Sequence, residues 1–117
     1  MSIQVYGIPN CGSCKKAFLW LQNHHIEYEF INIKENPPSK DIIANWVENL
    51  GSKRMRNTSG ESYRALGESK KTWTDQQWIE AFAHDAMLLK RPLFVKDTKA
   101  VLVGLKDIEA IGEKLES

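Results

Sequence analysis

Two cysteines, Cys11 and Cys14, lie where a short apolar stretch gives way to a helical pattern. Residues 3–6 are apolar enough to predict a buried strand, and glycine and proline then interrupt it. From residue 13 to about residue 24, apolar residues recur on one face, which predicts an amphipathic helix. The Cys-x-x-Cys pair therefore falls at a strand-to-helix turn, where backbone N–H groups lack helical partners.

This position predicts redox chemistry for the two thiols. Residues three apart on a helix have Cβ atoms about 5–6 Å apart, and a disulfide joins Cα atoms about 4.4–6.8 Å apart. A helix N-terminus lowers a cysteine pKa from about 8.5 to about 3.5–7.5. Cys11 is therefore the predicted nucleophile, and Cys14, directed toward the core, is the predicted resolving thiol. Lys15 and Lys16 either add to the positive potential or are simply solvated.

The remaining pattern predicts a mixed α/β architecture. A second strand near Phe30 completes a βαβ unit, whose strands should be parallel and whose crossover should be right-handed. Ser39 and Gly51 have the positions of an N-cap and a C-cap around a second long helix. The four tryptophans are expected mainly in the core: Trp20, Trp46, Trp73 and Trp78.

The second half of the chain predicts one more helix, a hairpin and a terminal helix. Thr74 and Gln77 form a capping box, with tryptophans at the spacing of a hydrophobic staple on either side. That helix should continue to about Ala86. Residues 93–95 and 100–103 are apolar runs close enough to form an antiparallel hairpin. The terminal helix is predicted from three apolar residues, Ile108, Ile111 and Leu115.

The element order is therefore β-α-β, several helices, then β-β-α. This order predicts an α/β, thioredoxin-like fold with a helical insert at about residues 36–90. A chain of 117 residues is sufficient for a single domain spanning 1–117.

Composition excludes several classes of function. The net charge of +1 argues against direct nucleic-acid binding. No apolar run approaches the roughly 20 residues needed to cross a bilayer, so no membrane association is predicted. The N-terminus lacks a signal-peptide pattern, which places the protein in the cytoplasm. In that reducing compartment the two cysteines are expected to be redox-active rather than a structural disulfide.

Two alternatives for the polar residues need to be considered. A structural zinc site requires four ligands, and the cysteines supply two, with His24 and His25 at the far end of the first helix. We therefore predict no metal. Lys53, Arg54 and Arg56 are more typical of a solvated loop, but an anion site across from the cysteines is the alternative.

The sequence resembles the ArsC/Spx family, which joins glutaredoxin-coupled arsenate reductases, the regulator Spx and uncharacterised relatives. Residues 6–17, Tyr-Gly-Ile-Pro-Asn-Cys-Gly-Ser-Cys-Lys-Lys-Ala, resemble the start of the family. Residues 89–93 resemble its second signature, and Gly104 fits the position after the last strand. Residues 57–67 are similar to the middle of the uncharacterised branch. The resemblance covers essentially the whole chain.

The resemblance implies specific roles. Cys11 matches the catalytic cysteine, Arg91 an arginine that holds an oxyanion beside it, and Pro92 a cis-proline close to it. A guanidinium offers a fixed fork of donors to an anion or a thiolate. The alternative is that Arg91 has no functional role and is an exposed charge before an edge strand. No cofactor is expected to be tightly bound; glutathione is a possible co-substrate, with contacts predicted at Asn10, Gly12, Ser13 and Pro92.

The sequence also departs from the arsenate reductases. Two further arginines of those enzymes align approximately with Asn57 and Gly104, which carry no charge. Whether Arg54, Arg56 or Arg64 replaces them stays open at this level. The second cysteine resembles Spx and many uncharacterised members instead. Efficient arsenate reduction is therefore not expected.

Two functions follow from these observations. The favoured one is a thiol-dependent reductase acting on a small thiol, an oxyanion or a protein disulfide, with glutathione, glutaredoxin or thioredoxin as electron donor. The alternative is an Spx-like regulator that binds the RNA polymerase α-subunit, with the disulfide as its switch. Spx-type regulators tend to continue with a basic extension, whereas this sequence stops at Ser117, so the enzyme is preferred.

Overall fold

The computed structural model describes residues 3–104, which contain a mixed four-stranded sheet of order β2-β1-β3-β4. β1 is parallel to β2 and antiparallel to β3, and β3 is antiparallel to β4. The βαβ and hairpin patterns predict the β1–β2 and β3–β4 pairings, and the antiparallel β1–β3 pairing joins the two. The strands are β1 (Ile3–Gly7), β2 (Glu29–Asn32), β3 (Leu93–Lys96) and β4 (Lys99–Val103).

Helix α1 connects β1 to β2, and the other described helices lie between β2 and β3. The α-helices are α1 (Gly12–Asn23), α2 (Lys40–Leu50), α3 (Glu61–Ala65) and α4 (Asp75–His84). Three short 3₁₀ helices accompany them, Ser52–Met55, Glu68–Thr72 and Ala86–Leu88. None of the helices within residues 3–104 is long and apolar enough to span a membrane. The terminal helix predicted around Ile108, Ile111 and Leu115 lies outside the described residues.

The predicted capping signals act as expected. Ser39 Oγ accepts a hydrogen bond from the backbone N–H of Ile42, and Gly51 ends α2 with φ of +85°. Both hydrogen bonds of the Thr74–Gln77 capping box are present. Each bond satisfies an N–H group that a helix start leaves unpaired.

The predicted end of α4 near Ala86 is wrong. The helix ends at His84 because Asp85 adopts an extended conformation with φ of −140°. Asp85 Oδ1 then accepts a hydrogen bond from the N–H of Met87 at 3.0 Å. Aspartate favours such local bonds over helix continuation, so a new 3₁₀ helix starts here and redirects the chain toward β3.

The sheet separates two hydrophobic clusters, because alternate residues of a strand face opposite sides. On the side of α1, Val5 and Phe94 pack with Ala17 and Leu21. On the side of α2 and α4 the larger cluster includes three buried aromatic residues, Trp46, Trp78 and Phe82. Trp20 and Trp73 are only partly buried, so the prediction of four core tryptophans holds fully for two.

Backbone hydrogen bonds bring three segments together at one edge of the sheet. The N–H of Ile33, just after β2, donates to the carbonyl of Gly7 at 2.9 Å. The N–H of Lys90 donates to the carbonyl of Met55, and the N–H of Asn57 to the carbonyl of Leu88, each at 2.8 Å. The segment that precedes β3 is thereby fixed to the helical insert, at the edge where β1 and β2 end.

Gly7 at the end of β1 provides space for the Cys14 side chain. A Cβ atom at position 7 would lie 2.4 Å from Cys14 Sγ, whereas one at Gly12 would meet nothing within 4 Å. Overpacking of this kind costs about 1–3 kcal/mol. We therefore expect Gly7→Ala to lower the free energy of unfolding of the reduced protein by about that amount in urea denaturation.

Gly12→Ala is the matched control, and we expect it to change stability by less than about 0.5 kcal/mol. A double variant, Gly7→Ala with Cys14→Ala, should recover part of the loss because the overlapping sulfur is removed. Equal stability of the two single glycine variants would contradict this account of Gly7.

Candidate active site

Cys11 is the N-cap of α1, with φ of −93° and ψ of 123°, and Cys14 lies one turn further into the helix. Both are free thiols; Cys11 is partly exposed and Cys14 is fully buried. The carbonyl of Cys11 accepts the N–H of Lys15 at 3.0 Å, which closes the first helical turn. The structure thus places the pair as the sequence predicts, with one sulfur accessible and the other beneath it.

The surroundings stabilise a thiolate at Cys11. Partial burial by itself raises its pKa, but other contacts outweigh this and the net pKa is lowered. Those contacts are hydrogen bonds from the backbone N–H and thiol of Cys14 and from the backbone N–H of Ser13, together with the charge of Arg91. Because these groups are donors or a positive charge, they favour the thiolate of Cys11 over the thiol.

The pKa of Cys14 is shifted in the opposite direction, upward. Burial is the main reason that its pKa is raised to about 11. The hydrogen bond to Cys11 and the negative charge there raise it further, while the backbone N–H of Ile8 and the charge of Arg91 oppose the increase. Cys11 therefore loses its proton before Cys14, and the first negative charge of the pair forms on the accessible sulfur.

Arg91 is partly buried and is held by backbone carbonyls. Its Nη1 donates to the carbonyls of Leu89 and Met87 at 3.3 and 3.4 Å, and lies 3.9 Å from the Met87 sulfur. Its Nε is buried and has no hydrogen-bond partner among the described residues. Arg91 also makes no ion pair with any of residues 3–104, so its full charge acts on the cysteine pair. Arg91 is thus partly buried and precedes β3, which is an inner strand and not an edge strand; its role toward an oxyanion stays a prediction.

Pro92 follows with a cis peptide bond to Arg91, as the family resemblance implied. Its carbonyl accepts the backbone N–H of Gly104 at 2.8 Å, which ties the start of β3 to the end of β4. Asn10, Gly12 and Ser13 are exposed around the partly exposed Cys11. The structure brings the predicted residues to one edge of the sheet; their contact with glutathione stays a prediction.

The arginines considered as replacements for the two missing arginines make other contacts or are exposed. Arg56 stacks on Trp78 at 4.2 Å and donates to Ser52 Oγ at 3.0 Å. Arg64 donates to the carbonyl of Ser59 at 3.0 Å. Lys53 and Arg54 are exposed, in keeping with the solvated-loop interpretation. Among the described residues, Arg91 is the cation that shifts the pKa of both cysteines.

The positions aligned with the missing arginines have structural roles here. Asn57 Nδ2 donates to the carbonyl of Met87 at 3.5 Å, the same carbonyl that accepts from Arg91. Gly104 has φ of +79°, and a Cβ atom there would lie 2.9 Å from Lys90 Cε. Sequence reasoning missed Met87 and Lys90. For Met87 it had no signal, because the contact is made by a backbone carbonyl, whereas Lys90 was visible as the cation next to Arg91.

Residues 3–104 contain no group of three or more His, Cys, Asp or Glu side chains arranged to hold a metal ion. His24 instead caps the end of α1, where its Nδ1 lies 2.9 Å from the carbonyl of Trp20. Its ring stacks on that of Trp20 with centroids 3.9 Å apart. The predicted position of the histidines at the helix end is confirmed.

Comparison with known proteins assigns the family. A sequence model of the ArsC family matches residues 6–111, and the chain belongs to this family. It is 40% identical over 111 residues to the uncharacterised protein YusI of Bacillus subtilis, covering 92% of this chain and 93% of YusI. It is 30% identical over 109 residues to the global transcriptional regulator Spx of Listeria monocytogenes, covering 92% of this chain and 82% of Spx.

A solved structure supports the same assignment. The crystal structure of a possible arsenate reductase from Streptococcus mutans matches with a TM-score of 0.81 and 41% sequence identity. The match covers 89% of this chain and 91% of that protein. The predicted resemblance and the thioredoxin-like α/β fold class are thereby confirmed.

The charge distribution predicts a pH profile for alkylation. Cys11 should react with iodoacetamide with a midpoint below that of an ordinary thiol, while Cys14 should react only as pH approaches about 11. Arg91→Gln should raise the Cys11 midpoint, since it removes a charge that favours the thiolate. Below both midpoints the rate should then fall, because a higher pKa lowers the thiolate fraction at a given pH.

Mass spectrometry of tryptic peptides separates the two cysteines in this experiment. Arg91→Lys should shift the midpoint less than Arg91→Gln, because the charge is retained without the fork of donors. Arg64→Gln is the control for loss of an exposed arginine. An unchanged Cys11 midpoint in Arg91→Gln would contradict the assigned electrostatic role.

Proposed function

We propose that this protein is a thiol-disulfide reductase in which Cys11 is the nucleophile and Cys14 the resolving thiol. The observation that carries the proposal is the division of roles between the two sulfurs. Cys11 is accessible and has a lowered pKa, whereas Cys14 is buried beneath it and remains protonated. A thiolate is the attacking species in disulfide exchange.

The reaction would proceed in two exchanges. The Cys11 thiolate attacks one sulfur of a substrate disulfide, forms a mixed disulfide and releases the other half as a thiolate, which takes up a proton. Cys14 then loses its proton and attacks Cys11 Sγ. This step releases the second half of the substrate and leaves a Cys11–Cys14 disulfide. Two electrons pass from the protein to the substrate, and an external thiol must return them.

The raised pKa of Cys14 supports this order of events. Two of its causes are the hydrogen bond to Cys11 and the negative charge on Cys11. Both disappear once the Cys11 sulfur is engaged in a mixed disulfide, so the pKa of Cys14 should fall at that stage. The resolving thiol is then activated by formation of the intermediate and stays inert before it.

The substrate class follows from the charge at the site. A doubly charged oxyanion is best held by several cations, and Arg91 is the cation that acts on both cysteines. A disulfide or a glutathione adduct carries no charge on the reacting sulfur and therefore does not require several cations around it. We therefore propose thiol adducts over arsenate as substrates, with glutathione as co-substrate near Asn10, Gly12, Ser13 and Pro92 in the cytoplasm.

A second candidate function rests on the relatives named Spx, which share about 30% of aligned residues with this chain. In that case Cys11 and Cys14 would form a switch for binding the RNA polymerase α-subunit. A pull-down with the C-terminal domain of that subunit, using oxidised and reduced protein, tests it. Redox-dependent retention would favour the regulator, and no retention in either state would remove it.

Cysteine variants test the reductase directly. With a glutathione-peptide mixed disulfide as substrate, Cys11→Ser should abolish turnover, since no other described thiol is accessible. Cys14→Ser, its matched control, should still attack once. It should therefore accumulate a Cys11–glutathione adduct that intact-protein mass spectrometry detects. Equal turnover by Cys11→Ser and the native protein would refute the proposed function.

A further inference from the structure

An exposed stripe runs along α1 away from the active-site cysteine. It consists of Lys15, Lys16 and Leu19; Leu19 follows Lys15 by four residues and Lys16 by three, so it neighbours both lysines on the helix surface. All three side chains are exposed, and Leu19 is 59% exposed, an unusual position for a leucine. We call these three residues the α1 surface.

The side-chain charges of Lys15 and Lys16 have no partner among residues 3–104. Neither ammonium group forms a hydrogen bond or an ion pair there. Helix α1 itself, with the sequence GSCKKAFLWLQN, contains no acidic residue. Leu19 is exposed beside both lysines, and Lys15 lies one helical turn from Cys11. Because all three side chains are exposed, they do not hold α1 to the sheet.

Other cations lie at the same edge of the sheet. Lys34 follows the segment that bonds to the end of β1, and Lys90 and Arg91 precede β3. The acidic residues near them in sequence are Glu35 and Asp85, and Asp85 already accepts a hydrogen bond from Met87. The protein as a whole has a net charge of only +1, and five of its cations, Lys15, Lys16, Lys34, Lys90 and Arg91, lie on α1 or at this edge of the sheet.

We propose that the α1 surface docks the reductant of the Cys11–Cys14 disulfide, and that this reductant is a protein dithiol with acidic side chains around its cysteines. The inference rests on the proposed reductase function. Complementary charge raises association rates, and Leu19 supplies an apolar contact near the middle of the interface. A glutathione molecule alone would gain little from Leu19, four residues beyond Lys15 along the helix.

The electron transfer balances as two thiol exchanges. A thiolate of the reductant attacks the accessible Cys11 Sγ, forms an intermolecular disulfide and releases Cys14, which takes up a proton. The second thiol of the reductant, after losing its proton, attacks its own partner sulfur in that disulfide and releases the Cys11 thiolate. The reductant leaves as a disulfide, and the protein regains its dithiol form.

The test compares two synthetic dithiol peptides, Glu-Glu-Leu-Cys-Gly-Pro-Cys-Glu-Glu and its counterpart with lysine in place of each glutamate. Stopped-flow tryptophan fluorescence follows reduction of the oxidised protein. Each rate is divided by the rate with dithiothreitol for the same variant, which removes changes in the intrinsic reactivity of the disulfide. We expect the glutamate peptide to react about tenfold faster than the lysine peptide at low ionic strength, and this ratio to shrink at high salt.

The variants localise the effect. Lys15→Glu with Lys16→Glu should invert the peptide preference, and Leu19→Ser should slow the glutamate peptide without altering the salt dependence. Lys53→Glu with Arg54→Glu makes the same charge change on another exposed segment and should leave the preference as it is. Equal normalised rates for the two peptides, or equal effects of both double variants, would overturn the docking proposal.

This test separates the two proposals. If dithiothreitol reduces the disulfide and Cys11→Ser abolishes turnover, the reductase function stands even when the peptides show no preference. If Cys11 shows no exchange activity at all, both proposals fail together.

Discussion

The packing of Cys14 against the end of β1 is the contact on which the active site depends. Cys14 is fully buried, and its sulfur lies so close to Gly7 that no side chain fits between them. This contact draws the first turn of α1 against the sheet and leaves Cys11 as the residue that precedes the helix. The accessible thiol, the free N–H groups and the buried partner thiol are therefore consequences of one packing arrangement.

The same arrangement explains why two identical side chains differ chemically. Cys14 is surrounded by the core, where a charge loses its hydration, whereas Cys11 receives hydrogen bonds from the helix start and the field of Arg91. The lowered pKa of Cys11 and the raised pKa of Cys14 reinforce each other, because a protonated Cys14 donates a hydrogen bond that a charged Cys11 accepts. The two thiols therefore titrate as one unit, in which Cys11 loses its proton first.

Sequence reasoning succeeded where structure is determined by neighbours along the chain. Ser39, Thr74 and Gly51 act through bonds within four residues, and the cysteine pair through one helical turn, so their patterns are local. It failed at Asp85, where a local aspartate bond interrupts a favourable apolar pattern. It also could not foresee that the Met87 carbonyl holds Arg91, since this depends on where the insert returns to the sheet.

The way in which Arg91 is held bears on specificity. An arginine paired with a carboxylate would present a neutral pair to the cysteines, and its influence on their charge would be small. Here the guanidinium is oriented by carbonyl dipoles, which satisfy some of its N–H groups without cancelling its charge. This uncancelled charge adds to the hydrogen bonds from Cys14 and Ser13 that stabilise one thiolate. Because Asn57 and Gly104 add no further positive charge, the electrostatics support the proposed preference for sulfur exchange over the capture of a multiply charged oxyanion.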